Sequence, residues 1–108
     1  MRVVRLKPYR RAMESMGLDD EDMRSVEMKI AAAPESHPVM VGLRGVRKAR
    51  FSLPGRGKSG GGRAIYYFAV GEAIYMMTAY RKNERDDLSL AQRKTILAII
   101  ESLKGDRR

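Results

Sequence analysis

The sequence predicts an α+β fold in which a strand, two helices, a three-stranded meander and a C-terminal helix follow one another. Three observations predict it. Apolar residues recur at helical spacing before residue 34 and after residue 89, they alternate with polar residues between 46 and 53, and glycine and proline separate the segments. We expect the strands to form one small antiparallel sheet with the helices packed on one of its faces.

The first third of the chain is predicted to contain one strand and two helices. The β-branched run Arg2–Leu6 is a short strand. Pro8 stands where the first turn of a helix tolerates proline, and Gly17 ends that helix. Asp19 is the predicted N-cap of the second helix, since acidic residues follow it and an apolar stripe begins there. Pro34 ends this helix because the residue before a proline avoids the helical region.

The rest of the chain is predicted to form strands and a last helix. In the alternating segment Val46–Leu53, Lys48 and Arg50 share one face, while Arg47 shares the other with apolar residues. A short edge strand is predicted to precede it at residues 39–43. The elements that follow are a glycine-rich connection at 54–62, strands at 63–70 and 74–80 joined at Gly71, and a helix with a capping box from Ser89 to Gln92 and a C-terminal Gly105.

Length and composition limit the class of protein. A chain of 108 residues predicts a single domain spanning residues 1–108. The absence of cysteine excludes a disulfide scaffold, a thiol nucleophile and a cysteine-ligated metal site, and fits a reducing cytoplasm. Because no apolar run reaches 18 residues, no membrane span is predicted. We expect no metal and no cofactor.

Positive charge is concentrated in the middle of the chain. The net charge is +9, and residues 36–71 contain seven lysines and arginines but no acidic residue. The positive charges on such a surface repel one another. A surface of this kind is typical of proteins that bind polyanions, such as nucleic acid, ribosomes, anionic lipid or an acidic protein. The alternative is a basic surface that only keeps the protein soluble.

Four cations are predicted to converge on one side of the sheet. Lys48 and Arg50 share a strand face, Arg63 begins the next strand, and Lys82 follows the last. A cluster of cations is suited to binding phosphate. The alternative is that these residues are separate charges at strand edges, where they discourage aggregation between sheets and would have the same spacing. Tyr80 is the tyrosine best placed to stack a base or transfer a proton. The only histidine, His37, is interpreted as a loop residue.

Three segments resemble a known family. Residues 45–51, 55–67 and 80–89 read GVRKARF, GRGKSGGGRAIYY and YRKNERDDLS, and together they are similar to the RelE/HigB toxins of bacterial type II toxin–antitoxin systems, in particular to the HigB branch. The Gly57-Lys58-Ser59 stretch is not a P-loop, because serine occupies position 52, where that motif needs glycine. The predicted order of elements fits the rest of the family fold.

The resemblance implies a ribosome-dependent endoribonuclease that cuts messenger RNA in the 30S decoding site. The family needs no metal, because the RNA 2′-hydroxyl attacks the adjacent phosphate. By motif position, Arg63 stabilises the phosphate, Lys48 or Arg50 transfers a proton or contacts phosphate, and Lys82 acts on the leaving side. RelE has a functional tyrosine on its C-terminal element that has no counterpart here, and Tyr80 is the substitute.

The resemblance also implies binding partners. The residues expected to contact RNA outside the catalytic group are Arg47, Arg56, Lys58 and Arg81. A cognate antitoxin with an acidic surface, often carrying a helix-turn-helix domain, is expected to neutralise the toxin, and no membrane partner is expected. Two alternatives remain open: a ParE-like gyrase inhibitor of the same superfamily, and a non-catalytic RNA-binding accessory protein.

Overall fold

The computed structural model describes residues 1–53, 61–85 and 87–105, and these ranges form three helices and one four-stranded sheet. Along the chain the elements are β1 (Arg2–Arg5), α1 (Lys7–Ser15), α2 (Asp20–Ala32), β2 (Arg47–Phe51), β3 (Gly62–Ala69), β4 (Ala73–Arg81) and α3 (Leu90–Gly105). The α+β class and the predicted order of elements are confirmed. In these ranges no helix has both the length and the apolar character needed to cross a membrane.

Helices α2 and α3 begin at the positions that their capping residues predict. At α2, the Asp19 carboxylate accepts a hydrogen bond from the Asp22 N–H, and the Asp22 carboxylate accepts one from the Asp19 N–H, each at 2.9 Å. Before α3, Ser89 and Gln92 form the same reciprocal pair at 3.1 and 2.9 Å. The end of α3 differs slightly from the prediction: Gly105 keeps helical backbone and is the last helical residue, a difference within the usual blurring of helix ends.

The sheet has the order β1-β4-β3-β2, and its last three strands form the predicted antiparallel meander. The prediction of a wholly antiparallel sheet is wrong for β1, which pairs with β4 in parallel from Arg2 opposite Ala73 to Arg5 opposite Met76. A parallel neighbour requires a long crossover, and the chain supplies one because α1, α2 and two strands separate β1 from β4.

Both faces of the sheet are covered, which corrects the prediction that the helices share one face. One buried cluster joins α1 and α2 to side chains such as Tyr66 and Met76, and a second joins α3 to Ile65 and Met77 on the opposite face. The reason lies in β4. Its residues from Ala73 to Tyr80 are all buried, so neither face of this strand is exposed to solvent. A strand that is apolar on both sides needs a helix layer on each.

A buried ionic network connects β1, α1 and α2 beneath the sheet. Glu27 is only 6% exposed, and it accepts hydrogen bonds from Arg5 at 2.8 and 3.0 Å and from the Tyr9 hydroxyl at 2.9 Å. Arg5 also forms an ion pair with Asp20. Burial and the neighbouring Glu27 raise the pKa of the Tyr9 phenol. The network ties the first strand to both early helices, with the Glu27 carboxylate at its centre.

The predicted edge strand at residues 39–43 is present as a short pairing beside β2. Val39 forms an isolated antiparallel bridge with Arg47, and the Lys48 N–H donates to the Pro38 carbonyl oxygen at 3.0 Å. This pairing places Pro38 beside Lys48 at the outer edge of the sheet. The loop therefore becomes one wall of the region that contains the predicted cations.

Candidate functional site

The strand register brings the predicted cations side by side. Arg50 lies opposite Arg63 across β2 and β3, and Arg63 lies opposite Tyr80 across β3 and β4. Residues that pair across strands point to the same face. Lys82 follows β4 directly and is held next to β3, because its N–H donates to the Gly61 carbonyl oxygen at 3.1 Å.

A β-bulge in β4 decides which face Tyr80 occupies. Ile65 pairs with Thr78, but the next residue, Tyr66, pairs with Met76, so Met77 is an extra residue in β4. A bulge reverses the alternation of the side chains that follow it. Without it, the end of β4 would present the opposite set of side chains to the face that carries Arg63.

Four of the predicted residues line one cavity of about 350 Å³, which we name the cation pocket. Its lining residues are Lys48, Arg50, Arg63 and Lys82, with His37 and Pro38 at the edge strand. Arg63 is 7% exposed and forms the floor, Lys48 and Lys82 are half-buried, and Arg50 is exposed. No carboxylate from the described part of the chain lines this cavity, so it offers positive charge to a ligand.

Two glycines place Arg63 against β2. A Cβ at Gly61 would lie 2.3 Å from the Phe51 carbonyl oxygen, and Gly61 also has a positive φ of 61°. A Cβ at Gly62 would lie 2.2 Å from the Phe51 ring. A larger residue at Gly61 would collide with the β2 backbone, and one at Gly62 would displace the Phe51 ring. The glycines at the start of β3 therefore serve strand packing, which the sequence alone did not reveal.

The backbone orients the Arg63 guanidinium. Its Nη1 donates to the Gly62 carbonyl oxygen at 3.0 Å, and this contact is buried. A buried guanidinium acts in a medium of lower effective dielectric than water, where its attraction for an anion is stronger. Since Arg50 stands directly opposite, an anion between the two would relieve their repulsion. The pocket is therefore suited to a phosphate.

Tyr80 and Arg81 lie beside the cation pocket. Tyr80 is buried, and with Arg81 it borders a neighbouring depression between the end of α1 and the end of β4. The Arg81 guanidinium donates to the Met16 carbonyl oxygen at 3.3 Å and lies 3.9 Å from the Glu84 carboxylate. It is turned toward the end of α1, so the structure does not bring this predicted RNA contact to the pocket.

Arg47 also points away from the cation pocket, as the strand alternation predicted. It donates to the carbonyl oxygens of Glu35 at 3.0 Å and His37 at 2.7 Å, and so holds the loop that precedes β2. The other two predicted RNA contacts, Arg56 and Lys58, lie outside the described residues.

His37 is the loop residue that the sequence predicts, and it lies at the rim of the pocket. Its ring packs edge-on against Tyr66, with 5.9 Å between the ring centroids, and its buried Nε2 atom has no hydrogen-bond partner among the residues that the structure describes. Burial and then the nearby Arg47 lower the pKa of the imidazole, so it is neutral at pH 7. Only the pairing of residues 38–40 with β2 brings this residue to the site.

Replacing Arg50 by glutamine is expected to stabilise the fold while weakening the attraction of the cation pocket for anions. Like charges directly opposite in a sheet are unfavourable, so the change should raise the free energy of unfolding by about 0.2–1 kcal/mol. Urea denaturation measures the gain in stability, and titration with inorganic phosphate measures the loss of affinity for an anion. The exposed Arg11→Gln on α1 is the matched control and should leave stability unchanged. A fall in stability for Arg50→Gln would show that the two arginines do not repel.

Comparison with protein families agrees with this arrangement. A family model described as the RelE toxin of the RelE / RelB toxin-antitoxin system matches residues 1–105. The match covers the whole described fold, including every residue of the cation pocket. The chain belongs to the RelE toxin family.

Proposed function

We propose that this protein is the toxin of a toxin–antitoxin pair and that it cuts messenger RNA on the ribosome. The observation that carries the proposal is the cation pocket: Lys48 and Arg50 of β2, Arg63 of β3 and Lys82 just after β4 surround a cavity with no carboxylate in its described lining. Phosphate is a ligand that would give this set of cations a function. Membership of the RelE toxin family supports the proposal that the phosphate belongs to RNA.

The reaction we propose begins when the RNA 2′-hydroxyl attacks the adjacent phosphorus. This forms a bond from the 2′-oxygen to phosphorus and breaks the bond to the 5′-oxygen, which leaves with a proton. The pentacoordinate phosphorane between these events carries extra negative charge. Arg63 is assigned to this charge, because it is buried at the centre of the pocket and already oriented by the backbone.

The remaining residues are assigned by their positions around Arg63. Lys48 and Arg50 lie on the β2 side and are assigned to phosphate contact or transfer of the 2′-hydroxyl proton. Lys82 lies beyond β4 and is assigned to the leaving oxygen. Tyr80, directly across from Arg63, is the proposed substitute for the tyrosine of the family. The chemistry needs one base and one acid, which these groups supply.

The partners we propose follow from the same pocket. Messenger RNA in the 30S decoding site is the substrate, and an antitoxin with an acidic surface is the inhibitor, since its carboxylates would occupy the place of phosphate. The motifs at 45–51 and 80–89 favour the HigB branch within the family.

The test compares the wild-type protein with Arg63→Ala after induction in bacterial cells. Messenger RNA 5′-ends are mapped across the transcriptome. The proposal predicts new cuts at a fixed position within codons that disappear in the variant. Growth arrest with DNA damage and intact messages would indicate a gyrase inhibitor instead, and the absence of any toxicity would indicate an RNA-binding protein without catalysis.

A further inference from the structure

Arg93 connects three separate parts of the chain. It lies in the first turn of α3, where its own N–H bonds to the Ser89 carbonyl oxygen. Its Nη1 donates to the Val41 carbonyl oxygen at 3.1 Å, and its Nη2 donates to the Asp87 carboxylate at 2.9 Å. The other oxygen of Asp87 accepts the Leu88 N–H at 2.7 Å. One guanidinium therefore joins α3 to the loops before β2 and after β4.

These two loops are the opposite walls of the cation pocket. The loop that contains Val41 begins at Pro38, which lines the pocket and accepts the Lys48 N–H. The loop that contains Asp87 begins at Lys82, which lines the pocket from the other side. The Leu88 N–H and then Arg93 lower the pKa of Asp87, and the positive charge of Lys48 adds to this effect.

We propose that Arg93 and Asp87 form a positioning pair that sets the distance between Lys48 and Lys82 and thereby the fit of the scissile phosphate. The inference rests on the proposed function. A planar guanidinium that makes two hydrogen bonds fixes the angle between its partners, which a lysine ammonium cannot do. Small displacements of groups around a reacting phosphate have large effects on rate.

Because the Arg93–Asp87 pair is partly exposed, its positioning role can be distinguished from a contribution to the stability of the fold. The side chains of Arg93 and Asp87 are 27% and 52% exposed. Ion pairs with this exposure contribute little to the free energy of unfolding, because solvent screens them. A variant that breaks the pair is therefore expected to fold normally, and a loss of rate then reports geometry.

The rival explanation is that Arg93 only adds positive charge that attracts RNA. The two explanations predict different results for two variants. Arg93→Lys keeps the charge but loses the planar guanidinium, and Asp87→Asn keeps Arg93 but weakens the pair. Lys94→Gln removes one charge from the next position of the same helix, where the side chain is exposed, and is the matched control.

The experiment measures ribosome-dependent cleavage with kcat and KM determined separately. We expect Arg93→Lys and Asp87→Asn each to lower kcat by about tenfold or more, with Tm unchanged, and Lys94→Gln to leave kcat unchanged. Wild-type kcat in Arg93→Lys, or an equal fall in Lys94→Gln, would overturn the positioning role.

A second measurement does not depend on catalysis. Hydrogen exchange follows the amides of Lys48 and Lys82, which bond to Pro38 and Gly61 at the two walls. Both should exchange faster in Arg93→Lys than in the wild type and Lys94→Gln. Unchanged exchange would refute the pair even if cleavage is observed, whereas faster exchange in a protein that does not cleave RNA would refute only the proposed function.

Discussion

Replacing Arg63 by alanine is expected to lower the single-turnover rate of messenger RNA cleavage on purified ribosomes by about 10²–10³-fold. The reason is electrostatic. Arg63 lies at the floor of the cation pocket, is 7% exposed, and has its guanidinium held by the Gly62 carbonyl oxygen. A positive group that is oriented before the reaction stabilises the phosphorane without the cost of reorganisation, and alanine removes it entirely.

Two further variants show whether the effect belongs to the pocket. Arg63→Lys keeps the charge without the fork and should recover only part of the rate. Arg81→Ala removes another arginine of the same sheet, but one whose guanidinium contacts the end of α1, and it should change the rate less than about threefold. Equal losses in Arg63→Ala and Arg81→Ala would contradict the assignment, because net charge would then explain both.

Replacing Glu27 by alanine is expected to lower the free energy of unfolding by about 3–5 kcal/mol. The carboxylate is 6% exposed and accepts hydrogen bonds from Arg5 and Tyr9. Its removal leaves the buried Tyr9 hydroxyl without its acceptor, and it leaves the largely buried Arg5 guanidinium with the exposed Asp20 in place of a buried partner. Because small domains are stable by only about 5–15 kcal/mol, the variant should be close to unfolding at room temperature. Urea denaturation followed by circular dichroism measures the change.

The controls for this prediction separate the network from helix propensity. Glu21→Ala removes an exposed glutamate from the same helix and should cost far less. Glu27→Gln keeps an oxygen acceptor and should lie between the two. The double variant Arg5→Met with Glu27→Leu replaces both charges with apolar groups and should recover much of the loss. If Glu27→Ala is as stable as Glu21→Ala, the buried network does not hold β1 and the early helices together.

The elements that the sequence predicted well depend on residues close together in the chain. The Asp19–Asp22 and Ser89–Gln92 caps each form between residues three apart, and both helices begin where the caps indicate. The separation of Lys48 and Arg50 from Arg47 follows from the two-residue period of a strand. This alternation, together with the motif positions, predicts the four cations of the pocket.

The features that required the tertiary structure depend on contacts between distant residues. The sequence does not contain the register that makes Met77 a bulge and sets Tyr80 opposite Arg63. It does not show that β1 runs parallel to β4, or that α3 covers the second face of the sheet.

The same distinction explains the individual side chains of the site. The sequence by itself determined which charges this protein has and the strand face on which Lys48 and Arg50 lie. Only the tertiary structure decided that Arg81 turns toward α1 and that Arg93 bridges the two walls of the cation pocket. Local patterns fix the direction of a side chain, but the partner it reaches depends on packing between elements far apart in the chain.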